Sequence, residues 1–514
     1  MVQYDSVSMI ASPARQVLFK QQEVLQRAAK IGSCILFSRR IRMRISSTRL
    51  ATNPKVSVSP LLSSLILQSP YAQQPQSRFR GRFLHAMASD SPQLGVTNGK
   101  PTYQPRYIDI GINLADPIFR GRYGGKQRHP DDLAAVVQRA KDVGCTKLIV
   151  TGSSFKSSRD ALKLSQEFPG TVYSTAGVHP CSSAIFGATH PHHHEAEDDE
   201  HTAACDPDPE KPVPADDEGT PDLQKTEQIV ADLDALVRSA GPGLVAFGEF
   251  GLDYDRLHYC PKKLQLHSFS HQLDLVVALQ KEKLEFPLFL HSRAAHADFV
   301  SLLKEKFGNN LSGLARGGVV HSFTGTAEEA RELMDLGLYI GINGCSFKTA
   351  ENCDVVREIR LDRIMIETDG PWCEVRPSHE GWKYLVEDAK RKAADEEQVA
   401  AAAAAATVDG NSQPPATDAP TEPANGDVKT TRQKRPKQQQ QPSKKGQKKA
   451  SEVPERFKSV KKEKWEEGCM VKSRNEPCTI ERIAAIVAGI KGVSVEEVAE
   501  AAWANTTKVF QVDA

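Results

Sequence analysis

The sequence predicts a TIM barrel, a closed (β/α)₈ fold, from three observations. Short apolar runs rich in Val, Ile and Phe begin at Arg106 and number eight. Amphipathic stretches with helical periodicity separate these runs. Nearly continuous apolar strands that alternate with helices are typical of a parallel sheet buried on both faces. Eight such units are the number that closes into this barrel.

The predicted elements follow one another in a regular order. Amphipathic segments such as Asp132–Val143, Lys262–Lys281 and Glu328–Leu336 are the predicted helices between strands. Two further helices, over Cys478–Ile490 and Ser494–Thr506, are expected to supply the final helical layer. The eight predicted strands are RYIDIGIN, KLIVTGSS, TVYSTAGVHP, LVAFGEFGLD, PLFLHSR, GGVVHSF, LYIGINGCS and RIMIETDGPW.

Shifts in composition divide the rest of the chain. The N-terminal segment lacks periodicity and is rich in Ser, Arg and Gln, as disordered leaders and mitochondrial transit peptides are. A His-rich acidic stretch and a later stretch of Ala, Pro, Gln and Lys are too polar or too simple to form a packed core. The predicted organisation is a disordered or targeting leader over 1–103, the barrel over 104–388 with a disordered acidic insertion at 184–221, a low-complexity basic linker over 389–455, and C-terminal helices over 456–514 that complete the barrel.

Charge, cysteine content and hydropathy exclude several classes of protein. The formal net charge of +1 gives by itself no indication of a nucleic-acid partner. Ten scattered cysteines without a C-x-x-C pair argue against a disulfide scaffold and favour a reducing compartment. No apolar run approaches the roughly 18 to 20 residues that span a bilayer. We therefore expect no membrane association and a place in the cytoplasm or nucleus, with the mitochondrion as the alternative.

Polar side chains collect at the C-terminal ends of the predicted strands. The active sites of barrel enzymes are built at this face, because the strand ends project into a common basin. These residues are Asp109 and Asn113 after the first strand, His179 after the third, Glu249 and Asp253 after the fourth, His291 and Arg293 after the fifth, His321 after the sixth, and Asp369 after the eighth.

A divalent metal site is the chemistry that these residue types favour. Carboxylate oxygens and imidazole nitrogens are ligands of hydrolytic metals. A carboxylate that follows LVAFG, as Glu249 does, is costly to bury unless it is paired or coordinated. A single strand-end histidine is more often a hydrogen-bonded structural residue. Four candidates on four strands favour a joint metal site, and this set is Glu249, His291, His321 and Asp369.

Several motifs together resemble one known family. GEFGLDYDR, FLHSR, VVHSF and IETDGPW are similar to the strand-end motifs of TatD-type deoxyribonucleases. GINGCSFK and RNEPC resemble the eukaryotic branch of that family. The resemblance covers roughly Tyr107–Glu387 and Lys464–Phe510, without the acidic insertion. It implies a barrel of the metal-dependent hydrolase type and a DNA substrate.

The resemblance also implies a reaction and residue roles. The expected activity is metal-dependent phosphodiester hydrolysis of DNA, as a 3′-5′ exodeoxyribonuclease, with attack of a metal-activated water on phosphorus. Glu249 matches a carboxylate that can bridge two metals, and His291 and His321 match the histidines that hold one of them. Asp369 matches a metal ligand and general base, so Glu249 and Asp369 are the expected catalytic residues. Mg²⁺ is the favoured ion, and Mn²⁺ and Zn²⁺ are the alternatives.

Four further residues are expected to bind substrate: Arg293, His179, Asn113 and Asp253. Arg293 lies two positions after a ligand histidine and could clamp a phosphate, although an ion pair with a nearby carboxylate is the alternative. The first strand departs from the D-x-H-x-H pattern of many family members, because Gly111 and Asn113 occupy the histidine positions. Glycine offers no ligand, and this puts a two-metal mechanism in doubt.

Two other functions stay open at this stage. A metal centre of this kind also suits hydrolysis of an aminoacyl-tRNA ester. A non-catalytic nucleic-acid-binding protein is the second alternative, favoured by the missing histidine pair and the basic linker. Retained metal-ligand carboxylates argue against it. No obligate protein partner is evident from the sequence.

Overall fold

Eight parallel strands form the centre of the molecule in the computed structural model. The structure describes residues 94–97, 100–188, 219–408 and 453–512. Every strand pairs in parallel with the next strand in the chain. The strands, labelled here in chain order, are β1 Tyr107–Ile112, β2 Cys145–Val150, β3 Val172–Ala176, β4 Leu244–Asp253, β5 Leu288–Arg293, β6 Gly318–Val320, β7 Tyr339–Ile342 and β8 Ile364–Ile366.

The ring closes between β8 and β1, just beyond the paired residues. The backbone amide of Asp369 donates to the carbonyl oxygen of Gly111 at 2.8 Å. The amide of Asn113 donates to the carbonyl oxygen of Gly370, also at 2.8 Å. The predicted TIM barrel is therefore confirmed, and each predicted strand overlaps one observed strand, although β2 begins at Cys145, two residues before the predicted start.

Helices alternate with the strands, and several begin where a side chain caps the backbone. Ser154, Thr326, Thr349 and Ser494 each accept a hydrogen bond from the amide three residues on, within a reciprocal capping box. In the described part of the chain the α-helices are α1 Leu133–Asp142, α2 Phe155–Glu167, α3 Leu223–Ser239, α4 Lys262–Lys281, α5 His296–Phe307, α6 Ala327–Asp335, α7 Ala350–Glu358, α8 Trp382–Val408, α9 Ile480–Lys491 and α10 Val495–Phe510. No helix among the described residues is long and apolar enough to cross a membrane.

The C-terminal end of the chain closes the bottom of the barrel. An apolar cluster joins the strands to the last helix and comprises Ile108, Ile110, Ile149, Ala246, Phe289, Val319, Tyr339, Met365, Trp503, Val509, Phe510 and Val512. The Tyr173 hydroxyl, near the start of β3, donates to the Val512 carbonyl oxygen at 2.8 Å. The open face of the barrel is therefore the opposite end, where the strands terminate and where barrel active sites are built.

A buried ionic network fastens the segment before α9 to the barrel. The Arg474 guanidinium donates to both carboxylate oxygens of Asp132, at 2.9 and 2.6 Å, and to Glu476 at 2.9 Å. Arg139 donates to Glu476 at 2.8 Å. All four residues are almost fully buried. The next residue, Asn475, donates to the Thr368 carbonyl oxygen, so this segment also supports the loop after β8.

The segments outside the barrel differ in part from the sequence interpretation. A hairpin of Leu94–Thr97 and Lys100–Tyr103 lies within the predicted leader. At the edges of the predicted insertion, Gly187 and Pro221 form a bridge. Helix α8 continues to Val408, beyond the predicted start of the linker, since its alanine run has high helix propensity. The rest of these predicted segments lies outside the described residues.

Candidate active site

Three histidines converge on one carboxylate oxygen at the C-terminal end of the barrel. The Oε1 atom of Glu249 lies 2.6 Å from His321 Nε2, 3.2 Å from His291 Nδ1 and 3.3 Å from His179 Nε2. Glu249 and His291 lie within β4 and β5, and the other two histidines follow β3 and β6. All four side chains are buried. The strand order thus brings four separate parts of the sequence to one point.

Backbone hydrogen bonds set the positions of these side chains. The Glu249 amide donates to the Gly152 carbonyl oxygen at 2.8 Å, and the His321 amide donates to Leu290 at 2.9 Å. The His179 amide donates to the Ser153 carbonyl oxygen at 3.0 Å. The bonds of His179 and His321 connect neighbouring strands or the residues directly after them, and the bond of Glu249 connects β4 to the segment after β2. The cluster is therefore held by the barrel itself and not by a mobile loop.

The electrostatics of the cluster favour an ionised carboxylate. Burial acts to raise the pKa of Glu249, but the charges of His321 and His179 and the histidine hydrogen bonds bring that pKa well below its ordinary value. Burial acts to lower the pKa of His321, but Glu249 and Glu367 raise it well above its ordinary value. Burial and the neighbouring His179 lower the pKa of His291. Glu249 is therefore an anion that attracts a cation.

The donor set fits a divalent metal. Ligand atoms of His179, Glu249 and His291 all lie within 4.8 Å of one another, and each residue is buried. Two imidazole nitrogens and a carboxylate oxygen suit Zn²⁺ or Mn²⁺, and the carboxylate also suits Mg²⁺. The sequence interpretation assigned His179 to substrate, whereas the structure brings it to the same oxygen as His291 and His321.

A second carboxylate stands behind His291. Asp253 Oδ2 lies 3.0 Å from His291 Nε2, on the opposite side of the ring from Glu249. Burial acts to raise the pKa of Asp253, but the hydrogen bond from His291 and the charge of Arg293 lower it below its ordinary value. The Arg293 guanidinium lies 3.8 Å from the same oxygen. The buried position of Asp253 favours orientation of the ring over contact with substrate.

Asp369 belongs to a neighbouring network and has no direct contact with the histidines among the hydrogen bonds of the described residues. Its Oδ1 accepts a hydrogen bond from the side-chain Nδ2 of Asn113 at 3.2 Å. Its Oδ2 faces Ser322 Oγ at 3.3 Å, Cys373 Sγ at 3.2 Å and Asn343 Nδ2 at 3.4 Å. Four donors therefore fix both carboxylate oxygens of the predicted general base.

Glu367 links the two networks and is absent from the sequence-based set of site residues. Its Oε1 accepts from the Ser322 amide at 2.5 Å and from Asn343 Nδ2 at 3.3 Å. Its Oε2 lies 3.5 Å from His321 Nδ1, and neither atom has a hydrogen-bond partner among the described residues. The motif RIMIETDGPW nevertheless indicates Glu367 as a site residue. A carboxylate directly after a buried apolar strand needs a partner, as Glu249 does.

Gly111 makes room for the Glu367 carboxylate. A Cβ at position 111 would lie 2.3 Å from Glu367 Oε2. Nearby, Asp109 accepts hydrogen bonds from the backbone amide and the hydroxyl of Thr368, at 2.9 and 2.5 Å. Burial raises the pKa of Asp109 to about 8, against these hydrogen bonds. At the position where other strands supply metal-ligand side chains, β1 therefore leaves room for Glu367 through Gly111 and binds Thr368 through Asp109.

A cleft opens beside the cluster on the Arg293 side. Its volume is about 500 Å³, and its lining includes Arg293, Ser292, Thr324, Asn352 and Asp255. This cleft lies over the loops after β5 and β6 and reaches α7. It is large enough for a small ligand or for part of a polymer at the edge of the site.

Comparisons with known proteins identify a shared family pattern. The pattern of the family described as TatD related DNase matches residues 108–413. A curated protein of Schizosaccharomyces pombe named Deoxyribonuclease Tat-D is 37% identical over 407 residues, which cover 79% of this chain and 96% of that protein.

A bacterial relative and a solved structure extend the comparison. A protein of Edwardsiella piscicida named 3′-5′ ssDNA/RNA exonuclease TatD is 33% identical over 268 residues, covering 52% of this chain and 79% of that protein. The crystal structure of an uncharacterized amidohydrolase from Saccharomyces cerevisiae superposes with a TM-score of 0.55 at 30% identity, covering 79% of this chain and all of that one.

Proposed function

This chain belongs to the TatD related DNase family, and we propose that it is a metal-dependent deoxyribonuclease that shortens DNA strands from the 3′ end. Phosphodiester cleavage makes it a hydrolase of ester bonds. The fungal relative named as a deoxyribonuclease supports the DNA substrate. The bacterial relative named as a 3′-5′ exonuclease supports the direction.

One observation carries the proposal of catalysis. Three imidazoles and one buried carboxylate of Glu249 meet at a single oxygen on the face where barrel enzymes react. Burial of four ionisable groups together is costly without a compensating charge. A protein that only bound nucleic acid would have no function for buried ionisable groups of this kind. The cluster is therefore a catalytic metal centre.

Glu249, His179 and His291 would hold the ion, and His321 contacts the same carboxylate oxygen of Glu249. A divalent ion bound there polarises a phosphoryl oxygen and lowers the pKa of water. Asp253 fixes the orientation of the His291 ring through its contact with Nε2. The mixed imidazole and carboxylate donors admit Mn²⁺ and Zn²⁺ as well as Mg²⁺.

Asp369 is the proposed general base. Its two oxygens accept hydrogen bonds from neutral groups, among them Asn113 and Ser322. These bonds aim the carboxylate without neutralising it, so that it can take a proton from the attacking water. Arg293 is the proposed phosphate clamp, because its guanidinium reaches both Asp253 and the cleft.

The test uses chelator-treated protein and end-labelled oligonucleotides. Addition of Mg²⁺, Mn²⁺ or Zn²⁺ should restore cleavage, with stepwise shortening of 5′-labelled strands and early release of mononucleotide from 3′-labelled strands. Glu249→Gln should reduce turnover by orders of magnitude, because interdependent catalytic groups fail as a unit. The matched control is Glu282→Gln, at an exposed carboxylate on the helical ring.

Two results would overturn the proposal. Cleavage that persists at full rate after complete metal removal would show that the cluster is not a metal centre. Rapid release of amino acid from charged tRNA with no cleavage of DNA would instead assign an acyl ester substrate to the same centre.

A further inference from the structure

Two free cysteines form a close pair beside Asp369. Cys345 follows β7, Cys373 follows β8, and their Sγ atoms are 2.9 Å apart. The Sγ atom of Cys373 also lies 3.2 Å from Asp369 Oδ2. Both cysteines are partly exposed, whereas every other cysteine in the described part of the chain is buried. Both residues are therefore in partial contact with solvent.

The two loops that carry these thiols are in backbone contact. A Cβ on Gly344 would lie 1.9 Å from the Cys373 carbonyl oxygen, so only glycine allows this approach. The Asn343 side chain accepts from the Cys345 amide at 2.9 Å, and its Nδ2 lies 3.4 Å from Asp369. A disulfide bond is about 2.05 Å long, so the sulfur atoms need to move about 0.9 Å closer.

We propose that Cys345 and Cys373 are a redox-reactive dithiol, which low-molecular-weight disulfides such as oxidised glutathione convert into an intramolecular disulfide. One cysteine thiolate attacks a glutathione sulfur, the reagent's disulfide bond breaks, and one glutathione thiolate leaves. The second cysteine attacks the mixed disulfide and releases the other glutathione. Two protein thiols are oxidised, one disulfide is reduced, and the two cysteine protons pass to the two released thiolates.

Oxidation would alter the active site through Asp369. The thiol of Cys373 is one of the donors to Asp369 Oδ2, and a disulfide sulfur has no proton to donate. Loss of one weak hydrogen bond to a catalytic carboxylate should reduce turnover about fivefold. This effect on turnover rests on the proposed function, whereas formation of the disulfide does not.

The experiment compares the full chain with two variants after treatment with oxidised glutathione. Free thiols are blocked, the protein is digested without reduction, and cross-linked peptides are identified by mass spectrometry. DNA cleavage is measured on the same samples before and after dithiothreitol. Cys345→Ala removes one thiol and leaves the contact between Cys373 and Asp369. Cys353→Ala removes a buried cysteine of α7 as the matched control.

The expected result is a Cys345–Cys373 cross-link in the unmodified chain and in Cys353→Ala, with reduced cleavage that dithiothreitol restores. Cys345→Ala should show no cross-link and should instead carry glutathione on Cys373, because no second thiol is present to release it. Two blocked, uncross-linked cysteines would overturn the proposal, and a cross-link that leaves cleavage unchanged would refute the effect of oxidation through Asp369. A protein without any DNase activity would refute the proposed function, while the peptide cross-link would still decide whether the dithiol is redox-reactive.

Discussion

Gly111→Ala should destabilise the protein by pushing the Glu367 carboxylate out of its place. The added Cβ would lie 2.3 Å from Glu367 Oε2 and 3.4 Å from Phe289 Cζ. Normal contact for such a pair is over 1 Å longer, so the carboxylate has to move. Movement weakens its bond from the Ser322 amide, now 2.5 Å long. Overpacking costs about 1–3 kcal/mol, and a weakened hydrogen bond adds about 1 kcal/mol.

The cause of this loss can be separated from other effects by a double-mutant cycle. Glu367→Ala removes the atom that clashes, so the added methyl group of Gly111→Ala should then cost little. The double variant should unfold with nearly the same free energy as Glu367→Ala alone. The expected coupling is about 2 kcal/mol, well above the ~0.5 kcal/mol scatter of independent sites.

Urea unfolding of the four proteins measures each free energy, with equal m-values as the check on two-state behaviour. Additive losses would refute the steric explanation.

The same geometry bears on the missing histidine of the first strand. Gly111→His, which would restore a D-x-H-x-H ligand position, requires prior displacement of Glu367. A second metal ligand on this strand should therefore need a compensating change at position 367.

Three further predictions follow from buried contacts elsewhere. Asp253→Asn should weaken metal binding about 10- to 100-fold by calorimetry, because the residue orients the His291 ring, and unchanged affinity would contradict that role. Arg474→Met should lower the free energy of unfolding by about 3 kcal/mol, since it removes one of the two arginines that pair with the buried carboxylates, whereas the exposed Arg238→Met should leave it unchanged. Burial lowers the pKa of His267 from 6.5 to about 4, so the unfolded chain binds more protons between these values and stability falls as pH falls from 6.5 towards 4. His267→Gln should flatten this dependence in pH-resolved unfolding curves, and an unchanged slope would exclude His267 as its source.

The barrel could be predicted because its strands are buried on both faces. Such strands appear in the sequence as short apolar runs, and each run overlaps one observed strand. The strand ends then locate the site, since a closed parallel barrel brings all of them to one face. Glu249, His291 and His321 come together for this reason.

Other features depend on distances that no sequence pattern contains. His179 joins the cluster because the backbone after β3 carries its side chain to Glu249, and a residue type alone does not reveal that path. The predicted site lacks Glu367, because Asp369, two residues later in the same motif, is sufficient to account for its acidic character. The Cys345–Cys373 pair joins two loops that are 28 residues apart in the chain. Packing of these loops, and not their separate sequences, creates the pair.

A crystal structure of the protein soaked in Mn²⁺, with anomalous diffraction recorded, would test the proposed metal centre most directly. We expect an anomalous peak among His179 Nε2, Glu249 Oε1 and His291 Nδ1, which already lie within 4.8 Å of one another. The peak should disappear in Glu249→Gln crystals. A fully occupied Mn²⁺ ion elsewhere on the barrel, with this cluster empty, would contradict the proposed centre.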